Sequence, residues 1–124
     1  MVGAGAMGQG IAQIAAQAGS HVWLLDSKPG AADKARQAIQ QQWAKLAAKG
    51  RVTEEQVQAW NQQLQIANTL AELGSCQLVI EAVVERLEVK QALFAELERT
   101  LPANVVWATN TSSLSVTAIA AALQ

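Results

Sequence analysis

Apolar positions along the chain follow two alternating patterns. Short apolar runs, typical of buried strands, are separated by longer stretches in which apolar side chains recur every three or four residues, as in amphipathic helices. The strand-like runs are His21–Asp26, Leu64–Asn68, Leu78–Glu81 and Val105–Thr109, and the helix-like stretches follow Met7 and cover 31–49, 53–63, 70–73 and 87–100. Because strands alternate with helices, the pattern predicts an α/β fold with a doubly wound, mostly parallel sheet.

Helix-start and helix-stop residues support these elements. Pro29 and Gly50 flank the long stretch 31–49, and Thr53-Glu54-Glu55-Gln56 has the form of a capping box. Two consecutive helices of this length exceed a minimal crossover, so we expect an antiparallel helical hairpin inserted between the second and third strands. In the first helix, Ile11, Ile14, Ala15 and Ala18 follow Met7 at helical spacing, and Ser113 and Ser115 are expected to cap the last helix.

Candidate chemistry begins at the first residues, where Gly3-Ala4-Gly5-Ala6-Met7-Gly8 has the spacing G-x-G-x-x-G. Glycine allows a tight strand-to-helix turn at Gly3, a close approach of phosphate at Gly5, and close packing of the helix on the sheet at Gly8. The helix start offers free N–H groups and the positive end of its dipole. The motif predicts a Rossmann-type domain that binds a dinucleotide, and the alternative is a βαβ unit without a nucleotide.

An acid at the end of the second strand indicates which dinucleotide is bound. Asp26 lies 18 residues beyond Gly8, close to the separation of about 20 expected for the acid that contacts the ribose. A carboxylate there accepts hydrogen bonds from the ribose 2′-hydroxyl and repels a 2′-phosphate. The sequence therefore predicts NAD as the cofactor in preference to NADP.

The ends of the chain suggest a fragment of a longer protein. Only Met1 and Val2 precede the first glycine, whereas buried strands normally run about 5–6 residues. The segment from Ala118 to Gln124 has a helical pattern without a cap at its end. We therefore expect residues 1–124 to be one domain with a truncated first strand.

Charge and composition exclude several classes of function. The 124 residues carry a formal net charge of −1, which gives no basic surface for nucleic acid. The single cysteine, Cys76, rules out an internal disulfide and favours a reduced, cytoplasmic setting. There is no apolar run of membrane-spanning length and no metal-ligand cluster, so we expect neither a membrane partner nor a metal.

Taken together, the motifs resemble those of the 3-hydroxyacyl-CoA dehydrogenase family, and of its bacterial 3-hydroxybutyryl-CoA dehydrogenases in particular. The resemblance covers essentially the whole chain and rests on the glycine motif, the helical hairpin and the segments Glu81–Lys90 and Asn110–Leu114. It implies oxidation of an (S)-3-hydroxyacyl-CoA to the 3-oxoacyl-CoA with NAD, as part of fatty acid metabolism. It also implies a homodimer and a catalytic histidine that lies beyond this chain. His21, the only histidine, precedes a strand on the wrong side of the sheet.

The resemblance assigns roles residue by residue. Ser112 matches a serine that contacts both cofactor and substrate and helps to align the hydroxyl, and its alternative role is to cap a helix or turn. Lys49 matches a lysine that meets the CoA, although Gln42 replaces a serine of the same surface; its alternative role is to interact with the dipole at the end of a helix. Glu85 and Lys90 match an acid and a base that contact NAD, or they form a solvated pair. The remaining expected cofactor contacts are Gly3, Gly5, Ala6, Met7, Gly8, Asp26, Ala82 and Asn110.

Three functions remain open at this level. The chain is the cofactor-binding portion of a hydroxyacyl-CoA oxidoreductase, an NAD-binding module without hydride chemistry, or a structural Rossmann module. A histidine followed by an F-N-P-like stretch shortly after Gln124 would favour the enzyme.

Overall fold

A computed structural model describes residues 1–111, 113–121 and 123. Within these residues, five α-helices and four strands follow each other in the order that the sequence predicts, with one 3₁₀ helix at Leu70–Ser75. The helices are α1 Ala6–Gln17, α2 Ala31–Ala48, α3 Glu54–Gln63, α4 Leu87–Thr100 and α5 Val116–Ala120; the strands are β1 Val22–Leu24, β2 Leu64–Ile66, β3 Leu78–Glu81 and β4 Val106–Thr109. The predicted bounds of β3 and α4 are confirmed, whereas β1 and β2 are shorter than predicted.

The sheet consists of two parallel ladders joined by a single residue. Strand β1 pairs with β2, and β3 pairs with β4, both in parallel. Val2 lies between them and forms parallel bridges to Leu25 on one side and to Glu81 on the other. The resulting order is β2, β1, Val2, β3, β4, with the glycine motif leaving the sheet at its centre.

Helices cover both faces of this sheet, as a doubly wound fold requires. Alternate residues of the strands point to opposite faces, so Leu24 and Leu25 belong to different cores. One core gathers residues of α1, α2 and the first ladder, among them Ala12, Ala16, Leu24, Ile39, Trp43 and Leu64. The other gathers residues on the opposite face, among them Val2, Leu25, Val79, Phe94, Leu97 and Ile119.

Small residues form the face that α1 turns to the sheet. Ile14 is 71% exposed, whereas Ala12 and Ala16 are fully buried. Gly8 is buried on the same face. Small residues at positions 8, 12 and 16 share one face of the helix at i, i+4 spacing and let its backbone lie close to the strands. The predicted helix is confirmed, although the apolar residues whose spacing indicates it include the exposed Ile14.

Local capping follows the sequence signals. The Thr53 hydroxyl accepts a hydrogen bond from the Gln56 amide at 3.1 Å, and the Gln56 side chain accepts one from the Thr53 amide at 2.9 Å, which confirms the capping box. Ser115 caps α5 by accepting from the Ala118 amide. Trp43 of α2 is fully buried, and its ring lies 5.6 Å from that of Trp60 in α3. The contact between Trp43 and Trp60 packs α2 against α3, the two helices that follow β1.

Candidate functional site

A crevice opens at the carboxyl edge of the sheet, where parallel α/β sheets bind their ligands. Its cavity of about 370 Å³ lies between the start of α1 and the loops that follow β3 and β4. Its walls are formed by Met7, Ala82, Val83, Glu85, Asn110 and Thr111. The structure thus brings together three segments that the sequence places far apart.

Two of the glycines are required by close backbone contacts. Gly3 has a φ of +105°, and a Cβ atom there would lie 2.6 Å from the carbonyl oxygen of Ala82. A Cβ atom on Gly8 would lie 1.8 Å from the carbonyl oxygen of Gly3. Neither position accepts a side chain without a shift of the main chain. The loop, the β3 exit and α1 therefore pack against one another through their backbones.

Gly5 differs because open space surrounds it. A Cβ atom there would have no heavy atom within 4 Å, so the loop leaves open space at this exposed position. Gly5 is also the N-cap residue of α1, and no side chain caps this helix or places an acid in its first turn. The first N–H groups of a helix lack partners within the helix, and here they face a space suited to the pyrophosphate of a dinucleotide.

Asp26 lies directly beside this loop. One carboxylate oxygen accepts a hydrogen bond from the Ala4 amide at 2.7 Å, and the other accepts one from the Lys28 amide at 2.8 Å. Asp26 is half-buried, and a carboxylate offers about four acceptor positions. It therefore orders the glycine loop and keeps acceptor capacity for a ribose hydroxyl.

A buried ion pair supports the other side of the crevice. Glu81 and Lys90 are both fully buried, and the Lys90 ammonium donates to the two Glu81 carboxylate oxygens at 2.7 and 2.9 Å. The Glu81 carboxylate also accepts from the Val83 amide at 3.0 Å and from the Thr109 hydroxyl. These bonds tie the end of β3 to the end of β4 and to α4.

Glu85 extends this pair to the surface of the crevice. One of its carboxylate oxygens lies 3.2 Å from the Lys90 ammonium and accepts a hydrogen bond from the Thr111 hydroxyl at 2.8 Å. The Glu85 side chain is 38% exposed and that of Lys90 is fully buried. The full burial of Lys90 rules out a solvated pair with Glu85, and its ammonium holds Glu81 and Glu85 in place. Contact between Lys90 and NAD stays a prediction.

Of the other predicted residues, Asn110 lies at the crevice, whereas Lys49 and His21 do not line it. The backbone N–H of Asn110 donates a hydrogen bond to the Glu81 backbone carbonyl at 2.8 Å. Lys49 is exposed and forms the C-cap of α2. His21 lies at the amino edge of the sheet, beside a separate cavity of about 610 Å³. This placement agrees with the prediction that it stands on the wrong side for catalysis. Ser112 lies outside the described residues.

Sequence reasoning missed Thr109 and Thr111, whose hydroxyls donate to Glu81 and Glu85. The available signal was their position, with Thr109 the last residue of an apolar strand and Thr111 in the loop that follows it. Within the described ranges, no group of three or more potential metal ligands occurs. Nor does any helix in this part of the chain combine the length and apolar character needed to cross a bilayer.

The parallel sheet, the glycine loop at the start of α1 and the acid at the end of β1 define a dinucleotide-binding domain of the Rossmann type. Residues 1–124 match the family described as "3-hydroxyacyl-CoA dehydrogenase, NAD binding domain". The chain belongs to this family, and NAD is the cofactor that domains of this family bind.

Individual relatives agree with this assignment. The chain is 41% identical to a probable 3-hydroxybutyryl-CoA dehydrogenase of Bacillus subtilis over 98% of its own length and 42% of the relative. It is 40% identical to the 3-hydroxyadipyl-CoA dehydrogenase of Escherichia coli over 100% of its length and 26% of that protein.

A solved structure shows the same fold. The crystal structure of 3-hydroxybutyryl-CoA dehydrogenase from E. coli K12 superimposes with a TM-score of 0.93 at 41% identity, over 97% of this chain and 25% of that one. The chain thus spans less than half the length of these relatives.

Proposed function

We propose that this chain is the NAD-binding part of an enzyme that oxidises (S)-3-hydroxyacyl-CoA to 3-oxoacyl-CoA by reversible hydride transfer. The match to the family over residues 1–124 carries the proposal, and the crevice supports it. When bound, NAD supplies the nicotinamide that accepts the hydride. The cytoplasmic setting and the homodimer expected from the sequence stay predictions.

Each element of the crevice has a distinct task in this proposal. The start of α1 holds the pyrophosphate through backbone N–H groups, with Gly5 leaving room for it. Asp26 accepts a hydrogen bond from the adenosine ribose, and the loops after β3 and β4 form the opposite end of the site. The roles of Ser112 at the substrate hydroxyl and of Lys49 at the CoA remain predictions. The proton acceptor comes from outside this chain, since His21 lies at the opposite edge of the sheet.

Asp26→Ala is expected to weaken NAD binding by roughly 1–3 kcal/mol, because ribose hydroxyls and the Ala4 amide lose a charged acceptor. Binding of NADP should weaken much less, since the carboxylate no longer repels the 2′-phosphate. Isothermal titration of the purified chain with both cofactors measures the two effects. Asp33→Asn, which removes an exposed acid in the first turn of α2, is the control and should leave both affinities unchanged. Equal affinity of the unmutated chain for NAD and NADP would contradict the role of Asp26.

Dehydrogenase activity is tested with a chimera in which residues 1–124 replace the matching segment of the B. subtilis relative. We expect the chimera to reduce acetoacetyl-CoA with NADH, whereas the 124-residue chain binds NAD without turnover. General-base catalysis contributes about 10²–10⁴-fold, so its absence alone makes the two rates easy to separate. A folded chimera that binds NAD but shows no activity would favour a non-catalytic NAD-binding module. Enzyme-like turnover by the chain itself would mean that the base lies within it.

A further inference from the structure

The Thr111 hydroxyl connects the loop that follows β4 to the loop that follows β3. It donates a hydrogen bond to the Glu85 carboxylate at 2.8 Å and accepts one from the Leu114 amide at 3.2 Å. A hydroxyl has a single hydrogen and two lone pairs, whereas an ionised carboxylate only accepts hydrogen bonds. The hydrogen of the hydroxyl is therefore committed to Glu85, and its lone pairs serve the Leu114 amide. Valine has the shape of threonine but makes neither bond.

Glu85, the acceptor of this bond, is itself held from inside the domain. The Lys90 ammonium lies 3.2 Å from the same carboxylate oxygen that the Thr111 hydroxyl contacts. Lys90 is fully buried and is bonded in turn to Glu81 at the end of β3. Hydrogen bonds between charged partners are the strong ones, so β3 and α4 set the position of the Glu85 carboxylate. Thr111 therefore joins the loop after β4 to a fixed group.

The loop after β4 forms one wall of the crevice, which Asn110 and Thr111 both line. The backbone N–H of Asn110 donates to the Glu81 carbonyl and continues the contact between β3 and β4 to the rim of the crevice. The next connection between the two loops is the side-chain bond made by Thr111. Ser112, which the resemblance assigns to the substrate and the cofactor, follows it in the sequence. A displaced Thr111 therefore displaces the wall of the site.

We propose that Thr111 is a positioning residue for hydride transfer, because its hydroxyl fixes the loop after β4 against the loop after β3. The inference rests on the proposed function, since it requires the reaction to take place in this crevice. Thr111 acts through Glu85 and Leu114, without a bond of its own to the reacting atoms. Hydride transfer depends on alignment, and a misplacement of about 1 Å can lower a rate by about 10²-fold. Release of the loop is therefore expected to slow the reaction more than it weakens binding.

Turnover is measured in the chimera with the B. subtilis relative, unmutated and with single substitutions. We expect Thr111→Val to lower kcat for acetoacetyl-CoA reduction by about 10- to 100-fold and to change the KM for NADH by less than about threefold. Thr111→Ser keeps the hydroxyl and should recover most of the activity. Thr117→Val is the matched control, because it makes the same chemical change at an exposed residue of α5, and it should leave kcat unchanged.

A purely structural role for Thr111 gives different results. In that case the folded Thr111→Val chimera keeps its kcat, or Thr111→Ser is as slow as Thr111→Val, and either result would overturn the proposal. An equal loss of kcat in Thr117→Val would overturn it as well. So would a Thr111→Val chimera that does not fold by circular dichroism, since the threonine would then serve stability.

Hydrogen exchange of the Leu114 amide, followed by NMR in the 124-residue chain, tests the same connection without substrate. Loss of the acceptor in Thr111→Val should speed exchange of this amide by about three- to tenfold. The Ala118 amide, which bonds to Ser115, is the internal control and should exchange at its usual rate. An unchanged rate for Leu114 contradicts the proposal. If the Leu114 amide responds but the unmutated chimera is inactive, the proposed function fails while the loop connection is confirmed.

Discussion

Gly8→Ala is expected to destabilise the domain by about 3 kcal/mol or more and to abolish NAD binding at ordinary concentrations. The added Cβ atom would lie 1.8 Å from the Gly3 carbonyl oxygen, which belongs to the main chain. Overpacking in a tight site costs about 1–3 kcal/mol and occasionally more, and no flexible side chain relieves the clash here. Helix α1 has to move away from the loop, which displaces the N–H groups that face the pyrophosphate. Urea unfolding and NAD titration measure the two losses.

Gly10 provides the matched control on the same helix. A Cβ atom there would have no heavy atom within 4 Å, so Gly10→Ala introduces no contact. Replacement of glycine by alanine inside a helix usually stabilises by about 0.5–1 kcal/mol. We therefore expect a small gain in stability and unchanged NAD affinity for Gly10→Ala. Similar behaviour of the two variants would show that close packing at Gly8 does not shape the site.

Lys90→Met is expected to reduce the free energy of unfolding by about 3–5 kcal/mol, because removal of one partner leaves the other charge buried and uncompensated. The remaining charge is the Glu81 carboxylate, which is fully buried at the junction of β3, β4 and α4. Neighbouring donors from Val83 and Thr109 compensate only part of its desolvation. Chemical denaturation followed by circular dichroism measures the change.

Two further variants show whether this loss comes from buried charge. Glu81→Gln combined with Lys90→Met removes both charges, and we expect it to be clearly more stable than Lys90→Met alone. Arg86→Met breaks the Arg86–Glu88 pair, whose side chains are 67% and 65% exposed, and exposed pairs contribute at most about 1 kcal/mol. If the double variant is no more stable than Lys90→Met, the loss arises from packing of the lysine chain.

Secondary structure could be predicted largely from local signals. The Thr53 capping box and the alternation of apolar runs mark α2, α3, β3 and α4 to within a residue or two. The buried face of α1 could not be predicted in this way, because the spacing of its apolar residues indicates a helix without showing which side meets the sheet. Close approach to the sheet instead selects the small residues Ala12 and Ala16. Which residues are buried depends on the distance between the helix and the strands, and hydrophobic periodicity gives no information on that distance.

The candidate site was only partly predictable for a related reason. The glycine spacing and Asp26 are local motifs, and the structure places them side by side. Lys90 lies nine residues after Glu81 on a different element, and nothing in their spacing indicates that both side chains become fully buried together. Thr111 joins Glu85 across 26 positions of the chain. Such contacts depend on the tertiary arrangement of β3, β4 and α4.

The junction at Val2 affects the stability of the connection between the two ladders of the sheet. Backbone hydrogen bonds between the two ladders pass through residues 1–3: Val2 bonds to Ile80 and Ala82, and Met1 and Gly3 bond to Leu25. Leu25 on one side of this seam and Val79 on the other also share one hydrophobic core, so opening of the seam breaks side-chain packing as well as hydrogen bonds. The glycine loop emerges from the same seam. In the proposed binding mode, NAD extends from Asp26 across this loop and contacts both sides of the seam, so its binding energy adds to the association of the two ladders.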